Sequence, residues 1–219
     1  MIAIALTSPF NCTFEFVRSG EDRSSDRGCE MNDKEYGVIP QTGNTGRKAV
    51  VLSADKFEDM ELYVPVFRLI EAGWQVDIAA PAQGKITGES AWYYVMANKT
   101  IDEINPDEYH LLVIPGGSPE GAPSAIRKNK KAQDIARSFF QKNKPVAAIC
   151  HGPWLLADAG LVRGRKLTSY WEDGVPETIK AAGGEWTDQP VVRDGNLVTS
   201  RWPMDIAAFN RELMKLVGA

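Results

Sequence analysis

The sequence predicts an α/β sandwich in which helices cover both faces of a mostly parallel β-sheet. Three observations support this prediction. Short runs rich in β-branched residues alternate with longer segments that have helical periodicity. Those runs are apolar throughout, which is typical of strands buried on both faces of a parallel sheet. The 219 residues suffice for one domain with an appendage.

The predicted elements follow one another along the chain. The first strand lies in KAVVLSA, and the helix after it lies in FEDMELYVPVFRLIEAG, where Leu62, Val66 and Leu69 recur at helical spacing. Further strands are predicted in WQVDIAAP, LLVIPGG and PVAAIC, and helices in PSAIRKNKKAQDIARSFFQKN and GPWLLADAG. The chain ends with a hairpin in PVVRDGNLVTS, which turns at Asp194 and Gly195, and an amphipathic helix in PMDIAAFNRELMKLV.

The N-terminal region differs in composition from the rest. Residues 1–47 are rich in charge, serine and glycine and lack clear periodicity, so we predict a polar extension that is disordered or follows a misassigned start. Met31 is the alternative start. Cys12 and Cys29 fall in this extension and receive no role. Residues 48–219 are predicted to form the domain.

The bulk numbers exclude several classes of function. A net charge of -4 and a pI near 5.3 do not fit the basic footprint of a nucleic-acid binder. No apolar stretch reaches the roughly 18 residues that span a membrane. Three cysteines are too few for a disulfide framework and favour a reducing cytoplasm. No zinc, P-loop or dinucleotide motif occurs, so we predict no cofactor and no metal.

The segment PVAAICHGPW places Cys150 between a strand and a helix. Gly152 permits a tight turn there, and Pro153 suits the first turn of a helix. In one interpretation Cys150 is a nucleophile whose thiolate is favoured at a helix N-terminus. In the other it is a small buried hydrophobe that continues the strand. The local sequence does not separate the two.

Two further motifs are predicted at the same edge of the sheet, where sites form in such folds. The backbone N–H groups of Gly117, in IPGGSPEG, and of His151 could form an oxyanion hole. In FEDME, Glu58 and Glu61 share a helix face, and a protonated carboxyl there could donate to the thiolate. Each motif alone also fits an ordinary turn or helix start.

Taken together, these motifs resemble the ThiJ/PfpI superfamily, most closely its PfpI-type intracellular protease and deglycase branch. The resemblance runs from Lys48 to Ala219 and rests on SADKFEDMELYVP, LLVIPGG, KPVAAICHGPWLLADAGLVRGRKLTSY, DGNLVTSR and FNRELMKLVGA. It implies a flavodoxin-like three-layer sandwich, like that of class I glutamine amidotransferases. It also implies Cys150 as nucleophile, His151 as its partner and Glu61 as the residue that hydrogen-bonds the cysteine.

The resemblance further implies an acidic residue, placed after the Gly-Gly turn, that reaches the histidine of a neighbouring subunit. Glu120 is the nearest match, although its loop is longer than usual and the acid comes one place early. This role requires an oligomer, so a homodimer or homohexamer is expected. The oxyanion donors would be the N–H groups of Gly117 and His151.

The implied function is a cysteine-dependent hydrolase that acts on glyoxal or methylglyoxal adducts in the response to carbonyl stress. An intracellular cysteine peptidase and a redox-sensing stress protein or holdase without turnover stay open as alternatives. The partners expected are small carbonyl adducts or peptides, with neither nucleic acid nor membrane. A glutamine amidotransferase is excluded because no histidine follows His151.

Overall fold

A central β-sheet of seven strands organises residues 37–218, which are the residues that the computed structural model describes. Two smaller two-stranded sheets lie beside it. The strands are β1 Lys48–Leu52, β2 Gln75–Ala80, β3 Gly84–Thr87, β4 Tyr94–Ala97, β5 Lys99–Thr100, β6 Leu111–Ile114, β7 Val146–Ile149, β8 Lys166–Leu167, β9 Glu185–Trp186, β10 Val191–Asp194 and β11 Leu197–Ser200.

The strand order in the central sheet is β10-β11-β7-β6-β1-β2-β5. All neighbouring pairs are parallel except the β10–β11 hairpin. After β1 the chain continues to β2 on one side, whereas β6 lies on the other. The order therefore reverses at β1, and ligands bind at the carboxyl ends of strands beside such a reversal.

Helices cover both faces of the sheet and confirm the predicted three-layer α/β sandwich. Helices α1 and α6 contact each other, whereas α2, α3, α4 and α5 form a second contacting group. The helices are α1 Asp59–Glu71, α2 Ala122–Lys128, α3 Lys130–Gln141, α4 Pro153–Asp158, α5 Val175–Ala181 and α6 Ile206–Leu216. No helix within residues 37–218 is both long and apolar enough to cross a membrane.

Strands β6, β7 and β11 are buried along their whole length, and β1 is buried after its first residue. This is why their sequences are apolar without alternation. Phe57, Phe139 and Phe209 are among the largest fully buried side chains. The buried centre of the sheet thus carries the loops that follow β1, β6 and β7.

The prediction of a single long helix after β6 is wrong, because the structure has two helices there. Asn129 separates α2 from α3 with an extended backbone, at φ −77° and ψ 114°. Its side chain caps α3 by accepting from the N–H of Ala132 at 3.0 Å. An asparagine favours such a cap over a helix interior, since its side chain competes for backbone hydrogen bonds.

Several elements have no counterpart among the predicted ones, namely the β3–β4 hairpin, β5, the β8–β9 pair and α5. Three of those strands have only two residues, too few to produce a periodic pattern. Helix α5 has seven residues and begins after Gly174, which adopts φ +73°.

Residues 37–47 contact β2 through Gln41. The side chain of Gln41 donates to the carbonyl of Val76 at 2.6 Å and accepts from its N–H at 3.2 Å. Ile39 is buried. The rest of the predicted extension, including Cys12, Cys29 and Met31, lies outside the described residues.

Candidate active site

Cys150 lies at a sharp turn between β7 and α4. Its backbone φ is +61°, a left-handed value that costs a non-glycine residue on the order of 1 to 2 kcal/mol. Two backbone hydrogen bonds of 3.0 Å hold it there, from its N–H to Ser200 and from Tyr170 to its carbonyl. A Cβ at Gly152 would overlap the carbonyl oxygen of Ile114, so the turn also needs that glycine.

The turn brings the side chains of Cys150 and His151 together. In a regular strand, neighbouring side chains point to opposite faces. Here the Cys150 Sγ lies 3.2 Å from the Nδ1 of His151. The left-handed backbone at Cys150 therefore brings its thiol within contact distance of the His151 imidazole.

His151 is held from its other side by Asp173. The Nε2 of His151 lies 3.0 Å from the Asp173 Oδ2. The imidazole is buried, and its ring centroid is 5.0 Å from that of Trp154 and 4.9 Å from that of Tyr170. With the carboxylate accepting from Nε2–H, the unprotonated Nδ1 faces the thiol.

Burial lowers the pKa of His151, although the hydrogen bond and charge of Asp173 act to raise it. The imidazole is therefore neutral at neutral pH. A neutral imidazole in this tautomer can accept the proton of a thiol at Nδ1, as a general base must.

Glu61 approaches Cys150 from α1. It is fully buried, and its Oε2 accepts from the N–H of Gly116 at 2.8 Å. Its Oε1 is also buried and has no hydrogen-bond partner within residues 37–218. Burial and, to a lesser extent, the charge of Glu58 raise the pKa of Glu61 well above its usual range. The carboxyl thus keeps its proton and can donate it to sulfur.

Opposing effects act on the pKa of the Cys150 thiol. Burial raises it well above its usual range, whereas the backbone N–H groups of His151 and Gly117 lower it. The charge of Glu61 and its side-chain hydrogen bond with the thiol act to raise it further. The elbow alone predicts a lowered thiol pKa, yet burial dominates here. The sulfur is therefore best activated by transfer of its proton to His151.

The two predicted oxyanion donors belong to residues that line one cleft with Cys150, namely Gly117 and His151. Their backbone N–H groups act to lower the pKa of the Cys150 thiol, so they favour negative charge at this position. Gly117 adopts φ +137°, and a Cβ there would overlap the carbonyl oxygen of Lys56. Only glycine fits this backbone, which turns one N–H toward the site.

A cleft of about 320 Å³ opens above the thiol. This volume suits a small molecule or a single side chain. The cleft is lined by Glu58, Glu89, Gly117, Pro119, Cys150, His151, Tyr170, Asp173, Trp202 and Pro203. Residues 37–218 contain no group of three His, Cys, Asp or Glu side chains placed to hold a metal ion.

Comparison with known proteins identifies the family of this chain. A model of the DJ-1/PfpI family matches residues 47–216. The chain belongs to the DJ-1/PfpI family. Its fold is accordingly the flavodoxin-like one predicted.

Relatives within the DJ-1/PfpI family carry deglycase names. The chain is 49% identical over 170 residues to Deglycase PfpI of Pyrococcus furiosus, which covers 78% of this chain and 99% of that protein. It is 41% identical to Protein/nucleic acid deglycase 2 of Escherichia coli, covering 79% and 99%. Among solved structures, a two-domain protein of Anabaena variabilis with DJ-1/ThiJ/PfpI-like and ferritin-like domains has a TM-score of 0.74 and 31% identity, covering 78% of this chain and 48% of that one.

The predicted site residues of this family member divide into two groups. Cys150, His151, Glu61 and Gly117 meet around one sulfur atom. Glu120 is exposed and lines a separate cavity of about 370 Å³. Its role toward a neighbouring subunit stays a prediction.

Asp173 is the site residue that the sequence analysis missed. It lies in the segment SYWEDG, whose Asp173 and Gly174 both adopt positive φ, at +56° and +73°. An Asp-Gly pair signals a turn. It does not reveal that this turn folds back onto His151, 22 residues earlier.

Proposed function

We propose that this protein is a cysteine-dependent deglycase, which removes early glyoxal and methylglyoxal adducts from amino groups in the response to carbonyl stress. One observation carries the proposal. Asp173, His151 and Cys150 form a hydrogen-bonded chain of 3.0 and 3.2 Å that ends at the floor of a small cleft. The relatives' deglycase names support the same reaction class.

The chain of contacts suggests the order of events. The proton of Cys150 moves to the Nδ1 of His151, and Sγ forms a bond to the carbon that carries the amine. The carbon–nitrogen bond breaks, and the imidazolium returns its proton to the leaving amine. For methylglyoxal, the resulting hemithioacetal isomerises to a thioester as one carbon is oxidised and its neighbour reduced. Water then releases a 2-hydroxy acid and restores the thiol, so no external oxidant is needed.

The neighbouring groups have separate roles in this scheme. The N–H groups of Gly117 and His151 act as the oxyanion donors, which their lowering effect on the pKa of the Cys150 thiol supports. Glu61 remains neutral and donates to the sulfur when it leaves the substrate. Asp173 is a positioning residue, because it fixes the tautomer and orientation of the imidazole without touching the substrate carbon.

Two alternatives account for the geometry less well. A peptidase needs a groove for an extended chain, whereas this cleft of about 320 Å³ suits a single adduct. A redox sensor needs no general base, whereas the thiol of Cys150 is paired with His151.

The test uses adducts made in advance from methylglyoxal and N-acetylarginine or N-acetyllysine. Release of the free amino acid and of lactate is followed together, because the balanced reaction gives one of each. Early adducts also decay spontaneously, so the enzyme must exceed the rate at which they release free methylglyoxal. A rate equal to that of spontaneous decay would contradict the deglycase proposal. It would mean that the enzyme acts only on the free methylglyoxal that the adducts release. Cys150→Ala is the inactive control.

A further inference from the structure

Negative charge surrounds the opening of the active-site cleft. The carboxyl groups of Glu58, Glu89 and Asp173 line it, and no lysine or arginine is among the described residues that do so. Glu58 is half-buried and its Oε2 accepts from the N–H of Glu61 at 2.7 Å, whereas Glu89 is exposed. His151 adds no positive charge because burial lowers its pKa.

The guanidinium of Arg201, next in sequence to the cleft residue Trp202, is already neutralised. Arg201 precedes Trp202 and makes salt bridges of 2.8 Å to both Asp188 and Asp205. Two carboxylates on one guanidinium leave a net negative group. An incoming phosphate would therefore meet no free cation at the cleft.

An aromatic pair adjoins the cleft. Trp202 lines the cleft and packs edge to face against Trp171, with ring centroids 5.3 Å apart. Trp171 and Trp202 are 39% and 36% exposed, which is unusual for such large side chains. Indole rings attract cations and guanidinium groups through their π faces, and the Arg201 guanidinium already lies 6.0 Å from the ring centroid of Trp171.

We propose that this cleft selects its substrate by charge: it accepts adducts carried on cationic or uncharged groups, such as protein side chains, and disfavours adducts that carry a phosphate, such as those of nucleotides. The inference rests on the proposed deglycase function, since it names the substrate class of that site. Glu89 is the main specificity determinant, because it is exposed, charged and outside the Cys150–His151–Asp173 chain.

A first experiment measures charge selection without any turnover. Cys12→Ser/Cys29→Ser protein is treated with trimethylammonium-ethyl and sulfonato-ethyl methanethiosulfonate, which differ in charge. Both rates at Cys150 are divided by those at N-acetylcysteinamide, an uncharged thiol. We expect a normalised preference for the cation of about tenfold at low salt, reduced at high salt by screening.

Variants of Glu89 assign the preference to its charge. Glu89→Gln keeps an acceptor for the hydroxyl of Ser118, which donates to Glu89 at 2.6 Å, and removes the charge. It should reduce the preference about threefold, and Glu89→Lys should abolish it. Glu185→Gln, an exposed carboxylate outside the cleft, is the matched control and should change nothing. The inference would be overturned if the wild-type protein reacted with both reagents at the same normalised rate. It would also be overturned if Glu89→Gln and Glu185→Gln changed the ratio of those rates equally.

A second experiment uses methylglyoxal adducts of guanosine and of guanosine 5′-monophosphate, which share the adduct and differ by the phosphate. We expect kcat/KM to be about tenfold lower for the nucleotide, and Glu89→Lys to narrow the gap. Equal turnover of the two would overturn charge selection while the deglycase proposal stands. If the protein turned over neither these two adducts nor the amino acid adducts, the deglycase proposal would be contradicted. Charge selection would then be judged only from the ratio of the two thiol-reagent rates.

Discussion

Asp173 hydrogen-bonds His151 through its Oδ2, 3.0 Å from the Nε2, although 22 residues separate them in the sequence. The aspartate is partly exposed and the imidazole is almost fully buried. This one contact selects the tautomer that points a lone pair at Cys150. A complete thiol, imidazole and carboxylate set thus occurs within one chain.

This contact predicts unequal effects of two acid-to-amide variants. Asp173→Asn should lower kcat on the order of 100-fold, because the amide can favour the wrong imidazole tautomer. Glu120→Gln should lower kcat by less than about threefold, since Glu120 makes no hydrogen bond to His151 within this chain. Steady-state kinetics on one preformed adduct compares the two.

The opposite ranking would assign the histidine's acidic partner to Glu120 of a neighbouring subunit. Dilution provides an independent control. Activity per chain should stay constant while the protein is diluted through any oligomer dissociation measured by light scattering. A loss of specific activity that follows dissociation would show that a second copy completes the site.

The parts of the site that the sequence predicts each lie where a strand ends or a helix begins. A nucleophile elbow, a glycine turn and a helix start leave local patterns at Cys150, Gly117 and Glu61, and the family resemblance of these motifs in this order assigned their roles. Asp173 leaves no such pattern, since its role depends on how a loop of irregular backbone returns to the sheet. A contact across 22 residues of chain is a tertiary property.

The same contrast holds for the fold. The buried central strands β1, β6 and β7 were predicted because burial on both faces demands an unbroken apolar run. The β8–β9 pair was missed because two residues per strand carry no periodicity. The break at Asn129 was missed because helical propensity continues on both sides of it.

The pH dependence of turnover should report the neutral imidazole. Because burial lowers the pKa of His151, kcat/KM should fall only as the pH drops through a midpoint below about 6.5. The charge of Asp173 raises that pKa, so Asp173→Asn should move the midpoint to still lower pH. A pH–rate profile of both proteins checks the direction. A midpoint that shifts upward in Asp173→Asn would contradict the assignment.

Gly117 should tolerate no side chain, for steric reasons beyond its positive φ. Gly117→Ala would place a Cβ on the carbonyl oxygen of Lys56 and should destabilise the protein by about 3 kcal/mol. Gly160→Ala is the matched control, since Gly160 has φ +74° but open space around it, and should cost about 1 kcal/mol. Urea unfolding measures both. Equal losses of stability in the two variants would show that the positive φ alone, and not the overlap with Lys56, determines the cost.

Glu61 should make the protein less stable as the pH rises. Burial raises its folded-state pKa above the unfolded value of about 4.3, so the folded state binds the extra proton between those two values. Its contribution is complete below the unfolded pKa and is lost as the pH rises through the folded one, by about 1.4 kcal/mol per pH unit in that window. Glu61→Gln cannot ionise and should lack this slope. Urea unfolding of both proteins across acidic to mildly alkaline pH measures the difference, and parallel curves would mean that Glu61 ionises as readily as an exposed carboxyl.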